Sequence, residues 1–264
     1  MATVRDTLND LGDGLRQREL WSSLAWNDIR ARYERSILGP FWLALSMGFL
    51  VLSIGFVYGT IFKIALEDYF PYLTMGFIAW ALISSFVNEG SGIFMEVAGL
   101  IRQIKVPISV HIARLTLRTL IIFAHNLVVF LVVALIFRIE PTSALLLAPL
   151  GIALVTATGA WVTIVLGILS VRYRDFRHLA SSVLQFFFFL TPVIWQPDML
   201  DATGRLVLTD FNPFFHAVEL IRAPFLGTAP ALTSWVAMIL VTVGGWAVAI
   251  QMLRTWGRLV PFWI

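Results

Sequence analysis

The stretch that decides the fold is 41–62, FWLALSMGFLVLSIGFVYGTIF, which carries no charge along its whole length. A helix of this length rises about 33 Å, which exceeds the roughly 30 Å hydrocarbon core of a bilayer. Arg30, Arg32 and Arg35 come shortly before it. Cations beside one end of a span favour the cytoplasmic side. The stretch therefore predicts an integral membrane protein that enters the bilayer from the cytoplasm.

Composition extends this conclusion to the whole chain. Hydrophobic residues make up 59% of the sequence and charged residues only 13%, whereas soluble domains carry about 25% charged residues. The absence of cysteine excludes disulfides and thiolate metal sites, and a net charge of only +3 gives no sign of a nucleic-acid partner. We expect a single transmembrane domain over 1–264, with a cytoplasmic or interfacial segment 1–40, a six-span bundle 41–254 and a cytoplasmic tail 255–264.

Five further apolar stretches predict an all-α protein with six transmembrane helices. They cover 70–88, 115–137, 143–170, 179–195 and 231–253. If the first span leaves the cytoplasm, the inner segments hold 15 of the 19 Lys and Arg residues. The positive-inside rule therefore places both termini in the cytoplasm.

The N-terminal segment is predicted to contain a helix that lies in the membrane interface. Residues 1–14 are polar and predict a loose start, whereas Trp21, Ala25 and Ile29 recur every four residues with arginines beside that stripe. An apolar stripe with flanking Trp and Arg is typical of an interfacial helix. An ordinary surface helix is the alternative.

Two connecting loops are long enough to hold helices. The inner loop after Glu89 predicts a short cytoplasmic helix, 94–104, ended by Pro107. The outer loop contains the apolar stretch 211–226, which Pro213 and Pro224 interrupt. A stretch this broken predicts one or two short helices that re-enter the outer leaflet before the last span.

Common catalytic signatures are missing from the sequence. There is no G-x-x-x-x-G-K-[ST] loop for ATP, no G-x-S-x-G and no H-E-x-x-H, and the four histidines stand far apart. We therefore expect no catalytic residue, no bound metal and no cofactor in this chain. Glu89 and Arg118 fall near the inner ends of spans, where we expect their side chains to reach water.

The first span predicts two different faces. On a helical wheel, aromatic rings and hydroxyls fall within an arc of about 80°, and three glycines lie roughly opposite, where small residues allow another helix to approach closely. A later span repeats the mixed face with Ser181, Gln185, Phe188, Pro192 and Trp195. Rings with hydrogen-bonding groups suit sugars, so these faces predict a glycan path; hydroxyls bonded to their own backbone beside lipid-facing rings are the alternative. The mixed face of the first span comprises Trp42, Ser46, Phe49, Ser53, Phe56 and Thr60.

Several motifs resemble those of one family. Arg32-Tyr33-Glu34-Arg35-Ser36-Ile37-Leu38-Gly39-Pro40-Phe41-Trp42 resembles the R-Y-x-x-S-x-L-G-P-x-W motif of ABC-2 type permeases that export bacterial polysaccharides. The stretches 89–90 with 99–103, 121–126, 172–175 and 212–214 resemble further family motifs, in the same order along nearly the whole chain. The resemblance is greatest to the O-antigen exporters, with capsule and teichoic-acid permeases as relatives.

The resemblance implies a partner set and a set of functional residues. The permease would form a homodimer in the bacterial inner membrane with two copies of a separate ABC subunit that binds ATP and Mg, and it would export a lipid-linked glycan. The loop with Glu89, Glu96, Arg102 and Gln103 would dock onto that ATPase. An outer gate would contain Asn212, Phe214, Phe215, Glu219 and Arg222.

Two other functions stay open from the residues alone. A membrane glycosyl- or acyltransferase would need an acid, histidine or metal cluster facing a cavity, and the sequence offers none. A permease for a small molecule such as a drug would differ only in the width and lining of its channel.

Overall fold

The protein is described by a computed structural model that covers residues 3–34, 39, 41–103 and 106–264, without the side chains of Asp6, Leu100, Arg102 and Gln103. Helices account for nearly all regular structure in this part of the chain. In order they are α1 Val4–Arg16, α2 Arg18–Tyr33, α3 Phe41–Phe62, α4 Leu66–Glu96, α5 Ala98–Gln103, α6 Ile108–Phe137, α7 Ala148–Arg172, α8 Phe176–Leu190, α9 Ala202–Arg205, α10 Pro213–Phe225, α11 Leu232–Trp256 and α12 Val260–Trp263.

Among the described residues, five helices are long and apolar enough to cross a membrane: Phe41–Phe62, Leu66–Glu96, Ile108–Phe137, Ser143–Arg172 and Leu232–Trp263. The multi-pass, all-helical architecture is therefore confirmed. The predicted count of six is not, because α8 has only 15 residues. A helix of that length rises about 22 Å, and the chain leaves α8 through an irregular segment that contains Pro192.

Helix α4 lies at the centre of the bundle. It packs against α3, α6, α7, α8 and α10, and 72% of its most apolar window is buried, compared with 17% for α3. Helix α3 contacts α4 and α6 through the small-residue face that the sequence predicted. A Cβ added at Gly55 would lie 2.8 Å from the Phe70 ring, so this helix pair depends on the glycine.

The N-terminal segment differs from its prediction. Residues expected to be a loose start form α1, which packs against α6 and α11. The Ser109 hydroxyl of α6 donates a hydrogen bond of 3.0 Å to the Asp10 carbonyl. Helix α2 follows after a break at Gln17 and buries Ala25 and Ile29, as the apolar stripe predicted, with α6 as its main contact. The polar composition of α1 concealed a helix that its contacts stabilise.

The two loop helices begin and end at other residues than predicted. Phe94 and Glu96 belong to α4, which ends at Glu96 with Val97 as its C-cap, and a separate short helix, α5, follows; the predicted end at Ile104 lies outside the described residues. In the second loop, α9 and a π-turn, Leu206–Asp210, precede α10. Helix α10 packs inside the bundle against α4, α7 and α11.

Candidate transport path and gate

The mixed face of α3 (Trp42, Ser46, Phe49, Ser53, Phe56 and Thr60) is exposed at all six positions. Trp42, Phe49 and Phe56 are 55%, 59% and 68% exposed. The Thr60 hydroxyl donates to the Phe56 carbonyl at 2.8 Å, so this hydroxyl bonds its own helix, as the alternative interpretation expected. The face is thus more than half exposed at its three rings, which are available to a second copy, a substrate or lipid.

The corresponding face of α8 divides between exposed and partly buried residues. Gln185 is exposed. Phe188 is half-buried, with its ring centroid 5.4 Å from that of Trp80 and 5.9 Å from that of Phe77 on α4. The Trp195 indole N–H donates to the Phe189 carbonyl at 3.1 Å. Of the three residues predicted to line a channel on this side, Gln185 is therefore the most accessible. Phe188 packs against α4, and Trp195 bonds the backbone of α8.

Helix α10 begins at a capped and buried N-terminus. The Asn212 side-chain oxygen accepts a hydrogen bond from the Phe214 backbone N–H at 3.0 Å, as an N-cap residue does. Its amide group donates to the Thr191 hydroxyl at 3.0 Å, which joins α10 to the segment after α8. The Phe214 ring lies 4.8 Å from Phe187 and 5.6 Å from Trp80, centroid to centroid. The start of α10 is therefore fixed against the middle of α4.

The opposite end of α10 carries a buried cation. Arg222 is 2% exposed. Its guanidinium donates to the Pro192 carbonyl at 2.7 Å and to Glu219 at 2.8 Å, and it lies 3.9 Å from the centre of the Tyr72 ring. The Tyr72 hydroxyl donates to the Pro192 carbonyl at 2.9 Å as well. These side chains supply hydrogen bonds to irregular backbone, which buried main-chain carbonyls require.

Phe215, His216 and Glu219 of α10 have separate surroundings. Phe215 packs edge-on against the neighbouring His216 ring. The two ring nitrogens of His216 lie 3.0 Å from the Ser234 hydroxyl and 3.0 Å from the Asp210 carbonyl. The hydrogen-bond partners of His216 and Glu219 therefore differ. His216 joins α10 to α11, whereas Glu219 serves Arg222.

An ion-pair network that the sequence did not reveal joins α2 to the bundle. Asp28 of α2 accepts hydrogen bonds from both Arg114, at 2.7 Å, and Arg118, at 3.1 Å, on α6. Arg118 also donates to Glu89 of α4 at 2.6 Å, and Arg32 of α2 lies 3.5 Å from Glu89. Because these pairs connect residues far apart in sequence, periodicity could not reveal them. The one indication of ion pairing in the sequence was the placement of charged residues near the ends of spans.

This network changes the interpretation of Glu89 and Arg118. We expected both side chains to reach water, but Arg118 is 12% exposed and the two pair with each other. Glu89, which stays predicted to dock onto an ATPase, contacts two arginines of its own chain. Glu96 remains half-exposed, with its carboxylate 3.9 Å from Arg177 of α8. The side chains of Arg102 and Gln103 lie outside the described residues.

Comparison with known proteins places this architecture in a family. The family profile described as "ABC-2 type transporter" matches residues 19–226. The chain is 25% identical to the O-antigen export system permease protein RfbA of Myxococcus xanthus over 213 residues, 79% of this chain and 80% of that protein. It is 21% identical over 201 residues to an O-antigen export system permease protein RfbA of Klebsiella pneumoniae, with 75% of this chain and 77% of the relative covered. The chain is therefore a multi-pass membrane protein that belongs to the ABC-2 type transporter family.

Proposed function

We propose that this chain is the permease subunit of an ABC transporter that exports a lipid-linked, O-antigen-like polysaccharide across the bacterial inner membrane. The observation that carries the proposal is the similarity, over about four fifths of its length, to a permease named for O-antigen export. The ATP and Mg needed for transport would bind to a separate ATPase subunit, since the sequence contains no G-x-x-x-x-G-K-[ST] loop.

The path would form between two copies of the chain. The mixed face of α3 is exposed along its length, and α8 exposes Gln185 on another side of the central helix α4. A homodimer would bring two such sets of faces together around a common axis. In that assembly α8 and the irregular segment after it would complete a sixth span, because protein around them would satisfy the broken backbone.

The distribution of Lys and Arg determines the proposed membrane orientation. That orientation in turn assigns the gate to the outer side and the coupling surface to the inner side. With both termini in the cytoplasm, the network of Asp28, Arg32, Glu89, Arg114 and Arg118 lies at the inner surface, with α2 as an interfacial helix. Helix α10 then re-enters from the outer side and would act as a gate. Glu96, with the nearby Arg102 and Gln103, would form the surface that contacts the two ATPase subunits.

Related permeases for capsule or teichoic acid are the nearest alternative, because the same exposed rings would suit any glycan. A small-molecule exporter and a membrane transferase are less well supported. Within the described residues, no group of three or more His, Cys, Asp or Glu side chains comes close enough to hold a metal ion.

The function can be tested in cells that lack their own O-antigen permease but express the matching ATPase and a compatible lipid-linked glycan. We expect this chain to restore surface glycan, measured by quantitative immunoblot. Phe49→Leu combined with Phe56→Leu keeps apolar bulk but removes two flat rings. If each ring contact with a sugar contributes about 1 kcal/mol, export should fall about fivefold per ring, with normal expression.

A matched control uses the packed face of the same helix. Gly55→Leu would drive a side chain into the Phe70 ring, so it should lower the amount of folded protein, whereas the paired leucines should not. Normal export by the double variant would show that Phe49 and Phe56 face lipid or protein and do not contact the glycan. Failure of the unaltered chain to restore surface glycan would contradict the proposed function itself.

A further inference from the structure

An apolar cavity of about 300 Å³ lies between α4, α7, α8, α10 and α11, away from the mixed face of α3. Its wall on α7 runs from Val155 to Leu166, a rise of about 16 Å. Its wall on α8 includes Ala180 and Leu184, and Phe214 of α10 closes one end. The cavity is therefore elongated along the helices and about as tall as one leaflet of a bilayer core.

The lining suits hydrocarbon and not water or sugar. Thr158 is one of its few polar residues, and its hydroxyl already bonds the Leu154 carbonyl at 3.0 Å and the Thr242 hydroxyl at 2.7 Å. The indole N–H of Trp161 lies against Gly245 of α11 and has no hydrogen-bond partner among the described residues. A water molecule needs two to four polar partners to occupy a cavity. A glycan would lose the hydrogen bonds of its hydroxyls there.

Cations lie below one end of this cavity. Ala180 is one helical turn from Arg177, and Leu166 is about 9 Å along α7 from Arg172. Arg174 and His178 are exposed beside them. The ion pair of Arg177 with Glu96 is a loose one, at 3.9 Å. These residues form a positively charged surface at the end of the bundle that the charge distribution assigns to the cytoplasm, where a lipid phosphate would face them.

We propose that this cavity binds one acyl chain of an anionic phospholipid from the inner leaflet, with its phosphate against Arg174 and Arg177. The apolar wall would contact the acyl chain. The cations below it would attract the phosphate, which favours an anionic lipid. The bound chain would fill the space between α8 and the start of α10. The site is independent of which glycan the protein moves and requires only the proposed membrane orientation.

The test uses the full chain in lipid nanodiscs with two photoreactive probes. One is phosphatidylglycerol with a diazirine near the end of one acyl chain, and the other is phosphatidylcholine with the same chain. After illumination, labelled peptides are quantified by mass spectrometry. We expect the anionic probe to label the cavity wall of α7 and α8 preferentially, by about fivefold for each cation that contacts the phosphate. The exposed surface around Leu135 of α6, which is 80% exposed, should react equally with both probes.

Two pairs of variants test the binding of the acyl chain and of the headgroup separately. Ala180→Phe fills the cavity and should abolish labelling of its wall, whereas Leu179→Phe, at an exposed neighbour outside the lining, should not. Arg174→Gln with Arg177→Gln should remove the preference for phosphatidylglycerol, whereas Arg258→Gln, at an exposed position elsewhere, should preserve it.

Three results would overturn the proposal. Equal labelling of the cavity wall by both probes would show that the site does not prefer an anionic headgroup. Labelling no greater than at Leu135 would show that the cavity does not hold a lipid chain. Efficient disulfide crosslinking between two copies that carry Val183→Cys would show that a second protein chain covers the opening instead.

Discussion

At the scale of single residues, burial distinguishes two arginines that the sequence presents alike. Arg222 and Arg205 both lie in the segment after α8, and each has an acidic partner within seven positions. Arg222 is 2% exposed by its side chain, whereas Arg205 is 47% exposed and pairs with an exposed aspartate. A buried ion pair leaves an uncompensated charge when one partner is removed, and an exposed pair does not.

We therefore expect Arg222→Met to destabilise the protein by about 3 kcal/mol, because Glu219 and the Pro192 carbonyl would lose a charged donor. Arg205→Met should cost less than about 1 kcal/mol. Thermal unfolding in detergent, followed by the loss of monodisperse protein, measures both. Equal effects would mean that the contacts of Arg222 contribute little to holding α10.

Asp28 is the second residue with a distinct prediction, because it accepts hydrogen bonds from both Arg114 and Arg118. Asp28→Asn should leave Arg114 without its charged partner and Arg118 with Glu89 alone, release α2 from α6 and cost about 3 kcal/mol. Spin labels at Trp26→Cys and Leu131→Cys, in a chain without native cysteine, would report a broader distance distribution.

Asp13→Asn provides the control for this experiment, since Asp13 and Arg16 form an exposed pair at 3.7 Å. Its distance distribution should match that of the unaltered chain. An unchanged distribution in Asp28→Asn would show that the apolar contacts of Ala25 and Ile29 hold α2 by themselves.

At the scale of elements, α10 depends on close contact with α7. A Cβ added at Gly151 would lie 2.2 Å from the Leu220 carbonyl oxygen, so Gly151→Ala must push the two helices apart. Overpacking of this kind costs about 1–3 kcal/mol, and we expect a leaky bundle as well as lower stability. Gly244→Ala is the matched control, because nothing lies within 4 Å of the added Cβ. Gly151→Ala should leak more solute from vesicles and unfold at a lower temperature than Gly244→Ala.

The elements that could be predicted from sequence are those that hydropathy determines. The first span, 41–62, agrees at both ends with α3, and the small-residue face around Gly55 packs as expected. Helix α1 was missed because most of its residues are polar, although Val4, Leu8, Leu11 and Leu15 recur at helical spacing. The length of α8 was overestimated because apolar residues continue past Thr191 into irregular backbone.

The candidate site was less predictable than the fold. A helical wheel identifies exposed and packed faces, as on α3, but not which neighbour covers a face, as with Phe188 and Trp80. It also cannot locate long-range pairs such as Glu89 with Arg118, whose geometry depends on how three helices assemble. The coupling and gating roles therefore stay predictions for the experiments above.

At the scale of the whole molecule, orientation is a testable consequence of the charge distribution, with 15 of 19 Lys and Arg residues on one side. Thr203 and His178 are both exposed and lie on opposite predicted sides. A cysteine introduced at Thr203 should react with an impermeant thiol reagent added to intact cells, whereas one at His178 should react only after permeabilisation. The reverse pattern would invert the proposed topology.

The most direct test of the transport function is reconstitution of this chain with its ATPase partner in vesicles that contain a lipid-linked glycan. We predict ATP-dependent appearance of the glycan on the opposite leaflet, measured by its cleavage with an added impermeant glycosidase. The chain alone should neither hydrolyse ATP nor move the glycan. Hydrolysis by the isolated chain, or a complex that moves a hydrophobic drug but not the lipid-linked glycan, would contradict the proposed polysaccharide permease.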